Sequence, residues 1–178
     1  MKNKIIIIGA GGHGKTVCET ILAENKFEVA GFVDSTVAIG TPIISGYKVI
    51  ASQNDLHSLK NIANYFIVAI GNNNTRKELY DSLKQILQPA TIIHSSAIIS
   101  LSAKLGKGNV ILAGAIINAY TIIGENIIVN SGVIIDHECN IGSHVHLSIG
   151  TLIGSNSHIA NDFTSKIGER IESFSKIL

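Results

Sequence analysis

The residues best able to do chemistry lie close together in the second half of the chain. Asp136, His137, Glu138 and Cys139 are consecutive, and His144 and His146 follow shortly after. Imidazole, thiolate and carboxylate are all zinc ligands, so a metal site is one reading. Against it, alternate residues of an extended segment point in opposite directions, which lets His137 and Cys139 share a face that Glu138 does not. The chain also has no paired Cys-x-x-Cys, and no metal is expected. The other reading is proton transfer. Histidine titrates near neutral pH, and a neighbouring carboxylate favours its protonated form and so strengthens it as a base. Cys139 then reads as a small core residue, His57, His144 and His158 as surface residues, and His94 as structural.

A second constellation opens the chain. The segment Gly9-Ala10-Gly11-Gly12-His13-Gly14-Lys15-Thr16 satisfies both the dinucleotide fingerprint, with Asp34 further on, and the P-loop pattern. Either full fold needs about five or six strands, more than the short first part of the chain is expected to hold, so neither NAD(P) binding nor ATP hydrolysis is expected. What the two patterns share survives: glycines let backbone N–H groups and a helix N-terminus face an anion. The alternative is a tight strand-to-helix turn with no ligand.

Two different textures must position these residues. Residues 1–88 alternate strand and helix signals. Ile5 to Ile8 is a continuous apolar strand, Lys15 to Glu24 a helix, Glu28 to Val33 a strand ending at Asp34, and Tyr65 to Ile70 another strand. A turn, Gly71-Asn72-Asn73-Asn74, leads into a helix capped by Thr75 and running to about Leu87. This is an α/β, Rossmann-like domain with a small parallel sheet. Residues 91–178 instead show a period of six. From Ile93, every sixth residue to Ile177 is a branched aliphatic except Ser165, with Gly106, Gly124, Gly142 and Gly154 just after it. Neither the 3.6 of a helix nor the 2 of a strand produces this, whereas the hexapeptide repeat of a parallel β-helix does. Three six-residue units close one triangular coil, and about five coils follow one another. Val110, Ile116, Ile122, Ile128 and Ile134 form a second apolar row, expected to pack against a neighbouring copy.

Composition narrows the function classes. Apolar residues make up 46% of the 178 and charged residues 15%, against about 25% in an average domain, which excludes a disordered chain. The net charge is +1 with no basic block, so a nucleic-acid partner is not expected. No apolar run approaches the ~18 residues of a membrane span. Cys18 and Cys139, the only cysteines, fit a reducing cytoplasm.

Several motifs, in this order, carry a resemblance: Gly11-Gly12-His13-Gly14, Ile70-Gly71-Asn72-Asn73 with Arg76, His94-Ser95-Ser96-Ala97, and Asp136-His137-Glu138-Cys139 followed by His146. Together with the hexapeptide repeat they resemble the sugar O/N-acetyltransferases of left-handed β-helix type, the family of sialic acid O-acetyltransferase and PglD-type UDP-amino-sugar N-acetyltransferases. The resemblance implies a homotrimer with no permanently bound cofactor, acetyl-CoA as co-substrate, and a nucleotide-activated amino sugar as acceptor. It implies His137 as general base with Glu138 beside it. It assigns the nucleotide end of the substrate to Gly11, Gly12, His13, Asp34, Ser35, Gly71 and Asn72, and the sugar to Asn130 and Asp136. Acetyl-CoA falls to His146, Gly154, Ser155 and Ile167, where Ser155 replaces a usual glycine. Departures from the pattern at Ser165, Lys166 and Glu169 suggest a repeat broken over residues 161–165 and a shortened donor end. Two alternatives therefore stand beside N-acetylation: a non-enzymatic nucleotide-sugar-binding trimer with a degenerate donor site, and O-acetylation of a sialic-acid-like sugar.

Overall fold

Four consecutive isoleucines form the centre of the first sheet. Ile5, Ile6, Ile7 and Ile8 are all fully buried in strand β1 (Asn3–Ile8), because a central parallel strand is covered on both faces. The structure, a computed structural model, describes residues 2–53 and 56–178. It divides into two compact units, Met1–Ile92 and Ile93–Leu178.

In the first unit the chain leaves β1 at Gly9 and enters helix α1 (Gly12–Glu24), which ends at Asn25 in the left-handed conformation. Strand β2 (Phe27–Val33) runs parallel to β1 and delivers Asp34. Strands β3 (Pro42–Ile44) and β4 (Tyr47–Ala51) then form a hairpin through Ser45-Gly46, both with positive φ as a tight two-residue turn requires. A 3₁₀ turn (Leu56–Asn61), β5 (Tyr65–Val68), helix α2 (Asn73–Leu83) and the two-residue β6 (Gln88–Pro89) complete the unit. The strand order is β3-β4-β2-β1-β5-β6, parallel except for the β3–β4 pair. Ile6, Ile8, Phe66, Val68, Tyr80 and Leu83 share one apolar cluster on one side of this sheet.

Three expectations change here. The sheet has six strands, so strand number does not exclude a dinucleotide fold; β3, β5 and β6 fit because they are only 3, 4 and 2 residues long. Helix α1 starts at Gly12 rather than Lys15. Helix α2 is capped by Asn72, whose Oδ1 accepts the Thr75 N–H at 3.0 Å, so Thr75 is the residue capped and not the cap.

The second unit is the expected left-handed parallel β-helix. Two-residue strands recur every six residues and pair with the strand one coil away, as Ile116↔Ile134 and Ile117↔Ile135 do. The second residue of each strand points inward, and Ile111, Ile117, Ile123, Val129, Ile135, Ile141, Leu147 and Ile153 stack as the core. Three faces result. The first carries Val110–Ile111, Ile128–Val129 and His146–Leu147; the second carries Ile116–Ile117, Ile134–Ile135 and Leu152–Ile153; the third carries Ile122–Ile123, Asn140–Ile141 and His158–Ile159.

The repeat is not broken at residues 161–165. Thr164 bridges His146 in register. Ser165 occupies the inward position and is buried, with its polar atoms satisfied: Oγ accepts the Ser148 N–H at 2.7 Å and lies 2.7 Å from Thr151 Oγ1. The Ser148 hydroxyl donates to the Ser165 carbonyl at 2.6 Å. A hydroxyl network thus replaces the missing aliphatic. The second apolar row is also not one surface. Steps of six distribute it over all three faces, and Val110 and Ile128 are already buried within the chain while Ile122 and Ile134 are exposed.

Candidate functional site

The glycine turn of the first unit borders a cavity of about 370 Å³ lined by Gly11, Gly12, His13, Asp34, Ser35 and Gly71, with Thr36, Gln53 and Thr75. The first six are all among the residues expected there. Asn72 is not in the lining, its side chain being committed to capping α2. Thr36, Gln53 and Thr75 went unforeseen; Thr36 alone carried a signal, being adjacent to Asp34-Ser35.

The glycines have separate tasks. A Cβ on Gly14 would stand 2.1 Å from the Gly9 carbonyl oxygen, so only glycine lets α1 approach the end of β1 this closely. At Gly11 and Gly12 a Cβ would meet nothing within 4 Å, because that side opens toward the cavity. Asp34 ties the walls together. Its Oδ2 accepts the Ala10 N–H at 2.8 Å, and its Oδ1 accepts the Thr36 N–H and hydroxyl at 2.8 Å and the Val37 N–H at 3.1 Å. Burial alone would raise its pKa, but these hydrogen bonds outweigh it and hold the carboxyl below its ordinary value.

In the second unit, the corner after strand Ile134–Ile135 carries Asp136, His137, Glu138 and Cys139. His137 Nδ1 lies 2.9 Å from Glu138 Oε2, with both side chains about half exposed. The alternation expectation fails at this corner. Glu138 has φ +58, which turns its carboxylate to the side of His137, while Cys139 points into the core and its thiol donates to the Gly154 carbonyl at 3.2 Å. Burial raises the Cys139 pKa, and at Cys18 burial followed by the Glu19 charge pushes it up to about 11, so neither thiol is poised to react. Asp136 organises the turn: its Oδ1 accepts the His137 N–H at 2.8 Å and the Asn118 amide at 3.2 Å.

A groove of about 400 Å³ beside this corner is lined by Asn118, Asp136, Leu152, Gly154, Arg170 and Ser173, among others. Ser155 lies one coil from His137, and its hydroxyl meets Ser173 at 3.2 Å. Asp136, His137, Glu138, Gly154 and Ser155 are therefore brought together at one corner. Asn130, His146 and Ile167 are not: His146 is on the first face, and Asn130 and the exposed Ile167 are on the corner after that face. Among the described residues no group of three or more His, Cys, Asp and Glu side chains could hold a metal ion.

The PglD N-terminal domain family matches residues 4–83. A point mutant of the perosamine N-acetyltransferase of Caulobacter crescentus, solved with CoA and GDP-perosamine, superposes with a TM-score of 0.78 at 28% identity, covering 98% of this chain and 88% of that one. The acetyltransferase domain of PglB from Neisseria gonorrhoeae, in complex with acetyl coenzyme A, gives a TM-score of 0.71 at 30% identity over 99% of this chain and 88% of that one. The chain belongs to the PglD-type sugar N-acetyltransferases. Among members of this family, the UDP-N-acetylbacillosamine N-acetyltransferase of Bacillus subtilis strain 168 is 39% identical over 115 residues, 62% of this chain. The match spans about half, 51%, of that relative's length. No helix among the described residues of this family member is long and apolar enough to cross a membrane.

Proposed function

We propose that the protein transfers an acetyl group from acetyl-CoA to the amino group of a nucleotide-linked amino-deoxy sugar destined for surface glycans, acting as a homotrimer in the cytoplasm. The observation that carries this reading is the His137–Glu138 pair, exposed beside a groove on the β-helix of a chain whose other unit presents a glycine-lined cavity.

The chemistry follows from the pair. An amino sugar arrives largely as an ammonium ion, which has no lone pair until a proton is removed. With Glu138 at Nδ1, the neutral imidazole carries its proton on Nδ1 and leaves Nε2 as the acceptor. Nε2 takes the proton from the sugar nitrogen, and Glu138 stabilises the resulting imidazolium. The nitrogen attacks the thioester carbonyl and a C–N bond forms; as the C–S bond breaks, the nitrogen's second surplus proton passes to the leaving thiolate, giving the amide and free coenzyme A, and the imidazolium returns its proton to solvent. The thioester is already activated, so no covalent enzyme intermediate is needed. The Ser155 N–H, next to Gly154, is a donor for the developing oxyanion.

In this reading Gly11, Gly12, His13, Ser35 and Gly71 surround the nucleotide end, where backbone N–H groups at the start of α1 face the phosphates. Asn130 and Asp136 serve the sugar, and His146, Gly154, Ser155 and Ile167 the donor. Asn130, His146 and Ile167 occupy a different side of the coil from His137, so a second copy is the natural source of those contacts, which favours the trimer. Sedimentation equilibrium at micromolar concentration tests that: a monomer contradicts it. Thiol release from acetyl-CoA with UDP-, GDP- and dTDP-linked amino sugars tests the reaction, and no release with any acceptor contradicts it.

A further inference from the structure

The corner column next to His137 is left-handed on four successive coils and carries no glycine there: its residues are Tyr120, Glu138, Asn156 and Phe174. At the equivalent position of every six-residue repeat from residue 108 onward the chain is left-handed, and Gly108, Gly114, Gly132, Gly150 and Gly168 meet that demand with no steric penalty. Asn126, Asn156 and Asp162 are the tolerated polar substitutes, and Glu138 and His144 also occupy the position. Tyr120, at φ +59, is neither: a bulky side chain there is strained, and strain retained in a fold points to use. The strain secures no burial, since Tyr120 is 70% exposed.

Tyr120 stands one coil from Glu138, the partner of the proposed base. The Glu138 N–H donates to the carbonyl of Ala119 at 2.8 Å, so residues 120 and 138 occupy the same corner column on adjacent coils, about 4.8 Å apart along the axis. Glu138 in turn contacts His137 Nδ1. Phe174 is also left-handed and exposed, but it lies two coils from Glu138, with Asn156 between. A pyranose has a face of C–H groups and a rim of hydroxyls, and a tyrosine offers an apolar ring with a polar tip.

We propose that Tyr120 is an acceptor-binding residue whose ring forms one wall of the sugar site beside His137 and Glu138. The inference rests on the sugar-acetylation reading above and adds a residue to it. Removing the ring exposes about 50 Å² of sugar contact, which at about 25 cal/mol per Å² corresponds to about an eightfold rise in the acceptor KM. The same change relieves the turn, so stability moves the opposite way.

The test uses the full chain with acetyl-CoA and two acceptors, GDP-perosamine and a UDP-linked 4-amino-4,6-dideoxyhexose, on Tyr120→Gly, Tyr120→Asn and Tyr120→Phe. Expected are a Tm raised by about 2–4 °C in the Gly and Asn variants, an acceptor KM raised about eightfold in both, and an unchanged acetyl-CoA KM. Tyr120→Phe keeps the ring and the wild-type acceptor KM. A higher Tm with unchanged acceptor KM overturns the proposal, as does a shift confined to acetyl-CoA, or a changed association state with intact kinetics. Those results leave the acetylation reading standing, whereas a wild type inactive on every amino-sugar acceptor removes both.

Discussion

Two glycines only two residues apart, Gly12 and Gly14, should respond to substitution in opposite ways. In Gly14→Ala the new methyl carbon would sit 2.1 Å from the Gly9 carbonyl oxygen and 3.0 Å from its carbon, both backbone atoms that cannot rotate away. Helix α1 must shift by about 1 Å, an overpacking penalty of about 3 kcal/mol, offset by about 1 kcal/mol from the better helix propensity of alanine. The net of about 2 kcal/mol lowers the Tm of a unit this size by about 8–16 °C. Gly12→Val meets nothing within 4 Å, so its Tm should stay within about 2 °C, yet the side chain enters the cavity and should weaken nucleotide binding at least about tenfold. Calorimetric scanning measures stability, and isothermal titration with UDP, GDP and dTDP measures binding. Equal stability losses in the two variants, or unaltered nucleotide affinity in Gly12→Val, would refute the division of tasks.

The other predictions follow from single contacts. His137→Ala should lower kcat by about 10²–10⁴ while leaving the nucleotide-sugar KM within about twofold, measured by steady-state kinetics; full activity between pH 6 and 9 would remove His137 as the base. Asp34→Asn cannot accept at both oxygens and should lose the Ala10 tie. Because the Asp34 pKa is depressed in the fold, its contribution is present above the unfolded carboxyl value of about 3.9 and is lost as pH falls through the folded value. The Tm gap between wild type and Asp34→Asn should therefore be full near neutral pH and close in strong acid. A gap that widens on acidification would contradict the hydrogen-bond assignment.

The β-helix was legible in the sequence because its core requires one inward aliphatic every six residues, a demand from Ile93 to Ile177 that no other fold makes. Ser165 misled for the same reason: a hydrophobic template cannot anticipate that Ser148 and Thr151 will satisfy a buried hydroxyl. Strands β3 and β4 were missed because they are short and half-buried, without a continuous apolar run. The glycine-lined cavity followed from residue types, yet Gln53 entered it from a stretch with no pattern of its own. At the His137 corner the residues were evident and their orientation was not. Strand alternation stops where Glu138 turns left-handed, and that turn is what joins the carboxylate to the imidazole.

The most direct test of the acetyl-transfer account is mass spectrometry of acceptor products after incubation with isotopically labelled acetyl-CoA and a panel of UDP-, GDP- and dTDP-linked amino sugars. The account predicts one labelled acetyl group on the amine of at least one nucleotide-linked sugar, formed by the wild type and lost with His137→Ala. Label on a hydroxyl of a free sugar, or label on no acceptor while the nucleotides still bind, would contradict it.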